Sequence, residues 1–238
     1  MLILAIDSST PAAGIALLDD EHLIREEFIN YKKNHSETLM PLVDELLRGC
    51  DRTLADLTAL AVTIGPGSFT GLRIGLAAIK GLSLAAAKPV VGISTLDVLA
   101  HNIFCSDALV CPLLNARKQE VYTALYDNRG GYSRRLSGEI ACAPQELADR
   151  ALSAAQENGL RRIILLGDGY DPYRHIFGDC LQERLVVVPP HLMLPRASAL
   201  ASLARARVLR ADFDEIMHLR PSYVRLSEAE SKLGKGEL

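Results

Sequence analysis

Residues 57–75 read L-T-A-L-A-V-T-I-G-P-G-S-F-T-G-L-R-I-G, an apolar run that breaks at Gly65-Pro66-Gly67-Ser68 and resumes with a different period. Residues 57–64 have the length and β-rich composition of a buried strand, and residues 70–87 carry Leu, Ile, Ala and Gly at helical spacing. A strand that turns through glycines into a helix is the repeating unit of an α/β sheet. Gly65 and Gly67 open backbone angles closed to other residues, Pro66 removes a donor, and Ser68 can accept a hydrogen bond from the first helical turn. The loop is no phosphate cradle by spacing: G-x-G-x-x-G needs a glycine where Thr70 stands, and G-K-[ST] occurs nowhere.

Upstream, residues 2–6, 13–18 and 23–29 are three short β-rich runs joined by turn residues. A helix follows, because Leu39, Leu42, Val43, Leu46, Leu47 and Cys50 recur at three and four, with Asn34 or Ser36 able to cap it. Downstream of the glycine turn come a strand over 89–93 and a helix over 96–103. The order then starts again: strands over 109–114, 121–126 and 132–140, a helix over 144–158, a strand over 162–166, a helix over 172–180, a strand over 185–188 and a last helix over 197–211. This duplicated βββ-α-β-α-β-α order predicts two mixed sheets flanked by helices and resembles the duplicated ribonuclease-H-like core of the actin-like (ASKHA) superfamily. The expected division is 1–105 and 106–227, with helix 197–211 packing back on the first half and a frayed tail over 228–238.

The chain has 238 residues, is 49% hydrophobic and carries a formal charge of -3, enough apolar content for a large core and no broad basic field. Aromatics make up 5% with no Trp, so base stacking has little to work with, and the clusters Arg134-Arg135, Arg161-Arg162 and Arg205-x-Arg207-x-x-Arg210 read as solvated faces. Cys50, Cys105, Cys111, Cys142 and Cys180 are odd in number and lack a C-x-x-C pair, which predicts reduced core cysteines. The N-terminal run meets Asp7 too early for a signal peptide, and no membrane span is expected.

Two turns are candidates for a nucleotide. Asp7-Ser8-Ser9-Thr10 lies where the actin-like superfamily places Asp-x-Gly-Thr around phosphate, although Ser9 replaces the glycine; Gly167-Asp168-Gly169 leaves a strand of the second half in a position where such folds contact nucleotide. Asn115, at the turn matching Asp7, cannot act as a general base. No H-x-x-x-H, H-E-x-x-H or G-x-S-x-G occurs; His101 and Cys105 at i, i+4 are at most half a metal site. In the helix after Ser68, Gly71, Gly75, Ala78 and Leu82 fall at i, i+4, i+7 and i+11 and leave one face almost without bulk, fit either for packing inside the chain or for a partner.

Taken together, Asp7-Ser8-Ser9-Thr10, Asn34-His35-Ser36-Glu37-x-Leu39-x-Pro41, the block 64–75, Lys80-Gly81-Leu82 and Pro221-x-Tyr223-x-Arg225 resemble the TsaB (YeaZ) family. The resemblance implies a cytoplasmic, non-catalytic subunit that works with the paralogue TsaD and the ATPase TsaE to place threonylcarbamoyl on an adenosine of tRNAs reading codons that begin with adenine. It implies that ATP is used by the complex, that tRNA is reached through it, that the chain alone holds no cofactor, with weak or interfacial nucleotide binding left open, and that it can form a homodimer when alone. TsaD carries its metal-binding His-x-x-x-His after the strand corresponding to 89–93, where this sequence has Ser94-Thr95-Leu96-Asp97-Val98-Leu99. The family's docking helix corresponds to 70–87, which points to Gly65, Gly67, Ser68, Phe69, Thr70, Gly71, Arg73, Gly75, Ala78 and Leu82 as the partner interface. The competing readings are an actin-like ATP phosphotransferase built on Asp7–Thr10 and Gly167–Gly169 and, behind it, a protease.

Overall fold

The computed structural model describes residues 1–30, 35–131 and 133–224; Asn34, Tyr132, Arg225 and the tail 228–238 lie outside the described residues. The first half opens with three antiparallel strands, β1 (Leu2–Asp7), β2 (Ala13–Asp19) and β3 (His22–Ile29), followed by helix α1 (His35–Gly49). Strand β4 (Ala59–Gly65), helix α2 (Phe69–Ala86) and strand β5 (Val90–Ser94) then add two parallel strands, giving the sheet order β3-β2-β1-β4-β5. Strands β1 and β4 are buried on both faces, which explains why each reads as a continuous apolar run and not as an alternation. Helices α1 and α2 cover one face through Leu39, Val43, Leu46, Leu76, Ile79 and Leu82. Each of these, fully withdrawn from water, contributes about 1.5–3 kcal/mol. By length and composition α2 alone among the described helices could cross a membrane, yet those side chains are committed to the sheet.

Helix α3 (Thr95–His101) leads to the second half, whose strands β6 (Ala108–Arg117), β7 (Glu120–Thr123), β10 (Ile140–Cys142), β11 (Arg162–Leu166) and β12 (Leu185–Val187) lie in the order β10-β7-β6-β11-β12. This reproduces the first sheet strand for strand, with helices α4 (Pro144–Glu157), α5 (Arg174–Leu181) and α6 (Ala197–Val208) in the matching places. Two expected strands are split. The run 121–126 breaks after Thr123, and β8 (Tyr126–Asp127) pairs with the start of β6 while β7 pairs with its end. The run 132–140 becomes β9 (Arg134–Arg135) and β10, because the Leu125 N–H turns to the Ser137 hydroxyl at 3.0 Å and interrupts the ladder. Both changes arise because β6 is long enough to take two partners in succession.

The two halves share their helices. Helix α3 buries Leu96, Leu99 and Ala100 against Val110, Ile164 and Leu166 of the second sheet, while α6 buries Leu200, Ala201 and Ala204 against Ile3, Ala5 and Ala61 of the first. Small residues on α6 let it lie close on β1 and β2: a side chain at Gly14 would touch the Ala197 methyl at 3.4 Å. Glu26 of β3 receives the Arg196 guanidinium at 2.6 Å and the Ser198 N–H at 3.0 Å, fixing the entry of α6. Beyond α6 the chain covers the exposed edge of β5: Asp214 N–H donates to the Val90 carbonyl at 2.9 Å, and Gly92 N–H donates to the Asp214 carboxylate at 2.7 Å. Covering an edge in this way removes a template for strand pairing between molecules. Cys111 and Cys142 are buried and burial pushes the Cys142 thiol up to about 11, but Cys105 is exposed, correcting the expectation that all five cysteines are core residues.

Candidate partner-docking site

The turn from β4 to α2 is held from three sides. Gly65 has φ +114, and a side chain there would meet the Ser222 carbonyl oxygen at 2.7 Å; Ser222 N–H donates to the Ile64 carbonyl at 2.6 Å. The Ser68 hydroxyl accepts from Gly71 N–H at 3.2 Å, capping α2, and Ser68 N–H donates to the Ser9 carbonyl at 2.7 Å. A Cβ at Gly67 would collide with that same Ser9 carbonyl. Glycine is needed at 65 for its backbone angle and at 67 for the closeness of the approach.

The small-residue face does not look outward. A Cβ on Gly71 would overlap the Ser8 carbonyl and one on Gly75 the Ser8 hydroxyl, which itself donates to the Gly71 carbonyl at 2.8 Å. Gly71, Gly75 and Leu82 are buried, and Ala78 packs against the core. Gly71 and Gly75 are therefore spent on seating α2 against the β1–β2 turn, and Ala78 and Leu82 on the core, a correction to their expected role as a bare face for a partner. The physical reason is that only a helix lacking Cβ atoms at two successive turns can sit against a backbone turn.

The face that remains open is rotated around the helix. Ser68, Phe69, Thr70 and Arg73 of the expected interface are exposed, and Ala77, Gly81 and Leu84 continue the stripe; nothing lies within 4 Å of a Cβ built at Gly81, and Leu84 is 69% exposed. At its N-terminal end the stripe carries a cluster that sequence reading missed. The Arg73 guanidinium lies 3.8 Å from the Phe69 ring centre and donates to the Tyr223 hydroxyl at 3.1 Å, while Tyr223 stacks on Phe69. The only sequence signal for it was the Pro-x-Tyr-x-Arg ending, which gives no hint of which helix it meets.

The expected nucleotide residues fall into two separate sheets. Asp7, Ser8, Ser9 and Thr10 are all buried; one Asp7 oxygen accepts from Ser9 N–H at 3.1 Å, the Ser9 hydroxyl at 2.6 Å and the Thr63 hydroxyl at 2.6 Å. Burial pushes the Asp7 carboxyl above its ordinary value, and those hydrogen bonds pull the other way. His35 and the Thr10 carbonyl pair at 2.9 Å. With its donors turned inward and α2 seated on it, this turn does not fit a phosphate. Gly167, at φ +126, closes on the Leu113 carbonyl, Gly169 N–H donates to that carbonyl at 3.2 Å, and Asp168, raised by burial, accepts from Asn115 N–H at 3.0 Å. The segment Ser94–Leu99 is likewise structural: the Ser94 hydroxyl caps α3 and reaches Glu139, and Asp97 accepts from the Tyr126 hydroxyl at 2.8 Å and from Arg135 at 2.7 Å.

The family model for TsaD, tRNA N6-adenosine threonylcarbamoyltransferase, matches residues 22–233. The tRNA threonylcarbamoyladenosine biosynthesis protein TsaB of Bacillus subtilis is 34% identical over 98% of this chain and 97% of its own length. The chain belongs to the TsaB family. YeaZ from Pseudomonas aeruginosa superposes with a TM-score of 0.78 at 29% identity, covering 93% of this chain and 99% of that one. The actin-like fold extends further: the activator of 2-hydroxyisocaproyl-CoA dehydratase from Clostridium difficile, solved with bound ADPNP, gives a TM-score of 0.52 at 12% identity over 89% of this chain and 97% of that one. This TsaB-family chain shares its duplicated fold with that activator, and its own helix α2 sits against the Asp7–Thr10 turn.

Proposed function

We propose that this chain is a non-catalytic subunit of the machinery that forms threonylcarbamoyladenosine in tRNA, docking TsaD through the outward face of α2. The observation that carries this reading is the stripe of Thr70, Arg73, Ala77, Gly81 and Leu84, which is flat, partly apolar and bordered by the Phe69–Tyr223 stack. A helix covered by small residues lets another element approach closely, and half-exposed aromatics beside an arginine are the composition of an interface core. Family membership supports the partner, and the closed Asp7–Thr10 turn supports leaving nucleotide chemistry to the assembled complex with TsaE. In this reading the protein works in the cytoplasm, where tRNA modification takes place, meets tRNA within the complex, and uses the same face for a homodimer when alone.

The test is co-purification with TsaD. Gly81→Arg and Ala77→Arg should abolish co-elution while the isolated chain melts no lower than wild type, and a tRNA modification assay should then fall to the level seen without this chain. Unimpaired co-elution of both variants would remove the proposal. The enzymatic alternative requires phosphate at Asp7–Thr10; calorimetric binding of ATP to the isolated chain with turnover would restore it.

A further inference from the structure

We propose that a groove at the far end of the second sheet, lined by Arg161, Arg162 and Arg184, holds the phosphate backbone of RNA, an assignment that rests on the tRNA-modification reading above. Helix α4 ends at Glu157 with Asn158 as its cap; Gly159, at φ +66, reverses the chain, Leu160 N–H donates to the Ala155 carbonyl at 2.8 Å, and the Leu160 side chain is buried. That helix end fixes the direction in which the next two residues leave, and both Arg161 and Arg162 are exposed at the mouth of β11. They border two adjoining depressions, one of about 590 Å³ with Gln156, Glu183 and Arg184, the other of about 340 Å³ with Ser106, Asp107 and Val186.

Ile163 pairs with Leu185 in the parallel ladder, so Arg162, which opens β11, and Arg184, the last residue of the turn that enters β12, both lie just before that pair. Several arginines elsewhere rest on carboxylates, as at Arg135 with Asp97 and Glu139, Arg196 with Glu26, and Arg207 with Asp212. Arg161, Arg162 and Arg184 have no ion pair among the described residues, although Glu183 and Asp107 line the same hollows. Three forked, permanently charged donors over a concave surface suit phosphate oxygens, which guanidinium grips in pairs. The overall charge of -3 confines this attraction to one spot, as expected for a protein that touches RNA locally and relies on a partner for the remaining contacts.

The test uses the full chain in complex with TsaD and a fluorescently labelled unmodified tRNA transcript, titrated between low and physiological salt. The triple variant Arg161→Ala/Arg162→Ala/Arg184→Ala should still co-elute with TsaD, bind the transcript about tenfold more weakly, and show a salt slope smaller by about 2–3, as loss of three phosphate contacts requires. Glu183→Arg should tighten binding and steepen the slope. Unchanged affinity and slope in both variants would overturn the groove assignment alone; loss of TsaD co-elution in the triple variant would also overturn it, making the groove a protein contact. If the wild-type chain fails to co-elute with TsaD, the proposed function falls and this assignment with it.

Discussion

Tyr223 stacks on Phe69 with ring centres 5.4 Å apart and planes inclined by 28°, joining the C-terminal segment to the first residue of α2 across most of the sequence. Through Arg73, which touches both rings, the stack also fixes the start of the outward helix face. Tyr223→Ala is expected to lower stability by about 0.5–1.5 kcal/mol, the scale of an aromatic pair, read as a shift in urea midpoint. Tyr223→Phe keeps the stack, loses only the hydroxyl that Arg73 contacts, and should cost less. An alanine variant as stable as wild type would mean that the stack contributes nothing to folding.

Two glycines on one helix should respond in opposite directions. At Gly81 a methyl group meets open space, so Gly81→Ala should raise stability by about 0.5–1 kcal/mol through helix propensity. At Gly75 the same methyl collides with the Ser8 hydroxyl, and Gly75→Ala should lower stability by about 1–3 kcal/mol as overpacking does. Thermal melts of the two single variants decide the matter; a shift of the same sign in both would contradict the inward seating of Gly75.

Asp7 offers a test in pH. Its folded pKa is raised by burial, so ionisation favours the unfolded chain, and the cost appears as pH rises above the unfolded value of about 3.9. Asp7→Asn retains an oxygen for Ser9 and Thr63 but carries no charge. The variant should gain stability relative to wild type as pH goes from 4 to 7, measured by denaturant unfolding at each pH. A difference independent of pH would show that the carboxyl titrates alike in both states.

Glu26 behaves in the opposite sense. Burial alone would raise its pKa, but the hydrogen bonds from Arg196 and Ser198 outweigh that and hold it below the ordinary value. Its stabilising contribution is therefore present above the unfolded pKa of about 4.3 and lost as pH falls through the folded one. Glu26→Gln should cost about 1–3 kcal/mol at neutral pH and much less near pH 3. Equal losses at both pH values would indicate that the charge on Glu26 plays no part in holding α6.

Much of the fold was legible because apolar periodicity is a local property. Residues 57–64 and 70–87 announced a buried strand and a small-residue helix, and the repeated element order announced two like halves; each element lies within a few residues of its expected place. The splitting of 121–126 and 132–140 was not legible, since it depends on how long a third strand, β6, turns out to be. For the site, spacing alone excluded a phosphate loop, and Ser68, Phe69, Thr70 and Arg73, expected at a partner interface, are exposed at the start of α2. Which face of that helix is free was a different matter. The helical wheel offers Gly71 and Gly75 on one side and Ala77 and Gly81 on another, and a sequence does not say which of them meets the chain itself.

The sequence by itself determined the elements, their duplicated order, the capped glycine turn at residues 65–68 and the family, because hydrophobic period, turn chemistry and motif spacing are written along the chain. Only the tertiary structure decided that Ser8 takes up the bare side of α2, that Tyr223 closes on Phe69, and that Arg161, Arg162 and Arg184 border one hollow. Each of these joins residues distant in sequence, and such contacts are set by how sheets and helices pack once formed, a choice that no local pattern encodes.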